Sequence, residues 1–133
     1  MCNKQFFMIY YTIMTPRQQA MALSKALKQA KGAAVKTYDV RGQSPLADYF
    51  VVATGAAAPH IKALVASAQA AMKTQGVMSY RVSGEPDTGW MVIDYVDVVV
   101  HVFSEEARVY YALEKIWLSL QEKSKAARSG GRA

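Results

Sequence analysis

The chain has 133 residues, a formal charge of +6 and 52% hydrophobic residues. That length fits one domain with one sizeable core, and the composition excludes a disordered chain. With a single cysteine, Cys2, an internal disulfide scaffold is excluded and a reducing compartment is compatible. The charge is uneven: residues 122–133 hold four basic groups against Glu122, so the preceding body is only mildly basic. Such a tail predicts a solubilising, frayed C-terminus that could add a nonspecific contact to ribosomal RNA.

Residues 1–14 read as an N-terminal extension. Its apolar run "FFMIYYTIM" is too short to span a membrane. No small-residue cleavage site follows it, and it lacks the arginine-rich character of an organelle transit segment, so a cytoplasmic protein is expected. The next signal is a helix start at Thr15-Pro16-Arg17-Gln18, a capping residue, a first-turn proline and a glutamine three after the cap. Ala20, Leu23, Leu27 and Ala30 form its apolar face and Gly32 ends it. Residues 33–40 read as a first strand, 41–48 as a turn-rich loop, and 49–55 as a second strand apolar enough to be central. Pro59 opens a second helix with a stripe at Ile61, Leu64, Val65, Ala68 and Met72, stopped by Gly76.

"MSYRVS", 78–83, predicts a short third strand, and "GEPDTG", 84–89, a polar loop. "WMVID" and "VVVHVF" predict two more strands joined by a tight hairpin at Tyr95–Asp97. Ser104 caps a last helix, favoured by Glu105 and Glu106 at its positive end. Val109, Leu113, Ile116, Trp117 and Leu120 are its expected apolar face, and the pattern dissolves after Ser119. The order α-β-β-α-β-β-β-α predicts an α/β (α+β) domain over residues 15–121: a mixed sheet with flanking helices in two layers.

The chemistry-bearing residues are few. Asp94 and Asp97 are the obvious carboxylate pair, and a nucleotide-handling, magnesium-dependent enzyme would use them. An Asp beside a hairpin turn more often accepts local backbone hydrogen bonds. "ATGAAAPH" also lacks a phosphate-binding glycine pattern. His101 lies within a valine-rich strand, where a satisfied core histidine is expected. His60, in the first turn of a helix beside Lys62, is expected to be exposed. Two histidines and one cysteine far apart argue against zinc, and no nucleophile has a recognisable base partner. Alternation puts Trp90, Val92 and Asp94 on one side of their strand. A tryptophan there either anchors a protein interface or caps the core.

"YDVRGQSPLADYFVVATG", "HIKAL", the "GE" at Gly84-Glu85 and "GWMVIDYVDVVVHVFSEEARVYYALEKIW" together resemble the ribosomal silencing factor (Iojap-like) family over about residues 18–118. The resemblance implies a nucleotidyltransferase-like topology without the chemistry, no cofactor, and a homodimer when free. It implies binding to ribosomal protein L14 (uL14) of the large subunit, blocking subunit joining and lowering translation when nutrients are short. The family's partner surface, carried here, falls on Trp90, Val92, Asp94 and Asp97, then His60, Lys62 and Glu85. Two departures stand out: "AAAP" replaces small polar residues and an arginine before His60, and Val96 replaces the usual hairpin glycine. The second implies either a turn that needs no positive φ or a strained one.

Overall fold

The computed structural model describes residues 14–130. Helix α1, Pro16–Gln29, starts with the expected capping box: Gln18 N–H donates to Thr15 Oγ1 at 3.1 Å and Thr15 N–H to Gln18 Oε1 at 2.9 Å. Strands β1 (Ala33–Asp39) and β2 (Tyr49–Gly55) lead to α2, Ala58–Thr74. β3 runs Arg81–Glu85, and a single 3₁₀ turn at Pro86–Thr88 leads into β4, Trp90–Asp94. β5 (Val98–Ser104) passes directly into α3, Glu105–Tyr111, and α4 follows over Glu114–Gly130. The third strand thus sits later than expected and includes Gly84 and Glu85, which the sequence placed in a loop. Glu85 pairs with Trp90 and Gly84 with Met91, so the backbone ladder overrides glycine's weak strand preference.

The five strands lie in the order β1-β2-β5-β4-β3. β2 and β5 are parallel, with Val51 opposite Val100; every other pairing is antiparallel. The central pair is buried along almost its whole length, which explains its continuous apolar reading. α1 and α2 cover one face. Leu23, Leu27, Ile61, Leu64 and Met72 meet Val51, Ile93, Val98, Val100 and Val102 there in one core.

The opposite face is only half covered, and here the structure corrects the sequence reading. In place of one final helix there are two, broken at Ala112, whose φ of 50° is left-handed. The break turns α4 back across β1 and β2, so helices lie on both faces of the sheet rather than in one layer. Trp117 stacks on Phe50 with ring centroids 4.9 Å apart, in a second core with Tyr38, Val40, Val52 and Phe103. Val109 and Ile116, expected on one apolar face, are exposed: the break places them on two separate helices, so they no longer share a stripe with Trp117. α4 also continues through residues expected to form the tail. Gln121 Oε1 accepts from Asp39 N–H at 2.8 Å, and the buried Ser124 hydroxyl donates to the Arg41 carbonyl at 2.8 Å. Of the N-terminal extension only Met14 falls within the described residues; it is partly buried against the first core.

A polar cluster holds the corner between α3 and α4. Arg108 donates from Nε to Glu114 Oε1 at 2.6 Å, from Nη2 to Oε2 at 2.9 Å, and from Nη1 to Thr54 Oγ1 at 2.7 Å. The Tyr38 hydroxyl donates to Glu114 Oε2 at 2.6 Å. The Arg108 hydrogen bonds hold the Glu114 carboxyl below its ordinary range, while burial and that carboxylate push the Tyr38 hydroxyl up to about 12. A forked guanidinium matched to a carboxylate is the geometry that best repays desolvation.

Candidate partner-binding surface

The uncovered half of the second face belongs to β4 and β3. Register brings Trp90, Val92 and Asp94 of β4 beside Glu85, Ser83 and Arg81 of β3. On the other flank they meet Phe103, His101 and Val99 of β5. The alternation expected for β4 therefore holds: Ile93 and Tyr95 enter the helical core, and Val92 and Asp94 are half-buried on the open side. β3 is exposed along its whole length.

Trp90 stands where packed and open halves meet. Its ring lies 5.2 Å from Phe103 and 4.5 Å from Tyr111, centroid to centroid. Its Nε1–H donates to His101 Nδ1 at 3.1 Å. That bond places the His101 proton on Nε2. Burial pushes the imidazole down to about 4, so it is neutral at pH 7. His101 is thus a satisfied core histidine, in contact with the rings of Phe50, Phe103 and Trp117. Trp90 thus braces the second core while keeping a half-exposed edge, as the core-capping reading requires.

The two aspartates do different work. Asp94 Oδ1 accepts from Val96 N–H at 2.7 Å, closing the hairpin turn. Asp97 is exposed, and its backbone carbonyl accepts from Asp48 N–H at 2.7 Å and Tyr49 N–H at 3.2 Å. Val96 between them has φ of 74° and is largely exposed. A β-branched residue there is strained, which settles which of the two turn geometries this chain uses.

His60 is half-buried rather than exposed. Its Nδ1 accepts from Ala56 N–H at 2.9 Å, which leaves Nε2–H to donate to the Ala30 carbonyl at 3.1 Å. The ring thereby ties the start of α2 to the end of α1. Lys62 and Glu85 are exposed. α3 adds two aromatics that the sequence marks, with Trp117, only as candidates for a dimer interface: Tyr110 is 81% exposed and Tyr111 45%. They line a cavity of about 560 Å³ with Asp87, Gly89, Glu106 and Ala57, at the ends of β2 and β5 where α2 and α3 begin. The excess of aromatics over one helical stripe was the available signal. Among the described residues no three His, Cys, Asp or Glu side chains are grouped to hold a metal. No described helix is long and apolar enough to cross a membrane.

The class defined here is an α/β domain: a mixed five-stranded sheet with helices on both faces and a half-open, aromatic-edged surface over β3 and β4. The family model described as "ribosomal silencing factor during starvation" matches residues 13–131, and the chain belongs to that family. It is 34% identical over 92 residues to the ribosomal silencing factor of Halalkalibacterium halodurans, covering 69% of this chain and 79% of the relative. It is 30% identical over 95 residues to that of Haemophilus influenzae, covering 71% and 93%. A crystal structure of a Chromobacterium violaceum protein superposes with a TM-score of 0.74 at 31% identity, covering 78% of this chain and 87% of that one. The family is one of ribosome-silencing factors and not of enzymes, and the chain's non-enzymatic character follows from membership.

Proposed function

We propose that the protein silences ribosomes by binding ribosomal protein L14 of the large subunit and sterically blocking subunit joining when nutrients are limiting. The reading takes it as a cytoplasmic homodimer when free, with a nucleotidyltransferase-like sheet that has lost its chemistry. The observation that carries the surface assignment is the aromatic edge formed by Trp90, Tyr110 and Tyr111 beside the open β3–β4 face. Solvent-facing aromatics carried on a rigid strand and helix anchor partners at low entropic cost. Asp94, Asp97 and Glu85 add an acidic rim suited to a basic ribosomal protein, with Val92 on the strand floor and His60 and Lys62 at the α2 margin. The magnesium-dependent alternative is disfavoured because Asp94 is already bonded to the turn amide.

Titration against purified L14 tests this. Tyr110→Ala changes an exposed side chain, so it should melt normally yet weaken binding by roughly tenfold or more, about 1.4 kcal/mol. Normal binding by both Tyr110→Ala and Asp97→Lys would remove this surface from the proposal. Stoichiometric magnesium-nucleotide binding, abolished by Asp94→Asn with Asp97→Asn, would replace it with the enzyme reading.

A further inference from the structure

The charge on α1 is not explained by the fold. Residues 1–38 contain six Lys or Arg and no Asp or Glu. In α1 itself the first turn has no acid and carries Arg17, against the preference of the helix dipole. Arg17, Lys25 and Lys28 are exposed, and none has a salt-bridge partner among the described residues. Lys28, in the last turn, suits the helix dipole, but Arg17 and Lys25 add nothing visible to helix stability.

They do share a groove. Arg17, Met21, Lys25 and Lys28 of α1, with Thr37 of β1 and Tyr49 of β2, line a cavity of about 680 Å³ on the outer edge of the sheet. The acids nearest its Tyr49 end are Asp39 and Asp48, and Asp39 is bonded to Arg41 at 2.7 Å and to Arg128 at 3.3 Å. Positions 17, 21, 25 and 28 follow helical spacing, so the three cations form a row roughly 16 Å long. Such a row runs alongside several phosphates of a nucleic-acid strand, whose charges repeat every few ångströms. Ser24, Gln29 and Thr37 supply hydrogen-bonding groups within it.

We infer that the α1–β1 groove, rather than the C-terminal segment, is a contact site for an RNA phosphate backbone. Choosing RNA as the polyanion rests on the ribosome-binding reading above. A membrane surface fits poorly, because the apolar face of α1 (Ala20, Leu23, Ala26, Leu27) is already buried in the core.

The test uses the full chain and a fluorescein-labelled uridine oligonucleotide, with affinity followed by anisotropy as salt rises. Three phosphate contacts contribute a slope of about −2 in log K against log salt, or roughly a twentyfold loss between about 50 and 200 mM. Arg17→Glu/Lys25→Glu/Lys28→Glu should remove that part of the slope, as should the corresponding triple Gln variant, which introduces no acid. Lys73→Glu/Lys123→Glu/Lys125→Glu carries the same net-charge change on α2 and α4 and should keep it. Equal losses from the groove and control triples, or an unchanged slope in a folded groove variant, would overturn the assignment. So would tighter groove-dependent binding to phosphatidylserine vesicles or to polyglutamate than to RNA. Titrating the same variants with L14 keeps the two proposals apart: wild-type protein that binds RNA but not L14 defeats the silencing mechanism and leaves the groove standing.

Discussion

Replacing Trp90 probes the junction between core and open face. In Trp90→Ala two losses add. The side chain is half-buried against Phe103, His101 and Tyr111, so truncation costs about half the 3–5 kcal/mol of a fully buried tryptophan, roughly 2 kcal/mol. The second loss is the donor to His101 Nδ1. His101 is 8% exposed, and a buried acceptor left unpaired costs about 1–3 kcal/mol. The expected total is about 3–5 kcal/mol, a fall of roughly 10–20 °C in Tm. Trp90→Phe keeps most of the ring packing and loses only the donor, so it should fall by about 1–2 kcal/mol. The same variant should raise the His101 pKa, because the bond it removes favours neutral imidazole. Urea unfolding gives the energies, and imidazole NMR shifts against pH give the titration. Phe and Ala variants that unfold at the wild-type midpoint, with His101 titrating unchanged, would refute the bracing role.

Val96→Gly should relieve the positive φ and stabilise the protein by about 1 kcal/mol, the strain released less the entropy glycine adds; a lower urea midpoint would contradict it. Arg108→Ala should cost about 3 kcal/mol by stranding Glu114, and Arg108→Lys should recover little, since one ammonium cannot reproduce three directed bonds; thermal unfolding of both decides. Because the folded-state pKa of His101 is depressed to about 4 from an ordinary 6.5, its contribution is fully present above pH 6.5 and is lost as pH falls towards 4. The size is about 3 kcal/mol, and His101→Phe should flatten stability over that window.

The elements legible in the sequence were those whose signal is local. The capping box at Thr15, the stripes of α1 and α2, the central strands and the side alternation of β4 all follow from neighbours in the chain. The break at Ala112 was not legible, because alanine is a strong helix former and nothing beside it signals a left-handed turn. What fixes that corner is the meeting of Arg108, Glu114, Tyr38 and Thr54, residues up to 76 positions apart. Without the break, Val109 and Ile116 read as core and Ser124 as tail. For the candidate surface, Trp90 and Asp94 were found by alternation, while Tyr110 and Tyr111 depend on the direction in which the broken helix leaves. His60 looked free because its acceptor, the Ala30 carbonyl, lies at the end of a different helix.

The parallel pairing of β2 with β5 has a consequence for how the chain is made. The middle of the sheet joins Tyr49–Gly55 to Val98–Ser104, so its central ladder closes a loop of dozens of residues before either strand gains its second neighbour. Such long-range closure slows folding, because chain entropy is lost before the contacts that compensate it form. During synthesis, β2 emerges long before β5 and must wait with an unpaired, almost wholly apolar edge. A chain stopped anywhere before Val98 cannot complete either core, since Val98, Val100 and Val102 belong to one and Phe103 to the other. Completion of the fold is therefore tied to length: β5 closes the first core, and the second also waits for Ala107 and Trp117 of the helices that follow it, so shorter chains expose the apolar edge of β2 that favours aggregation.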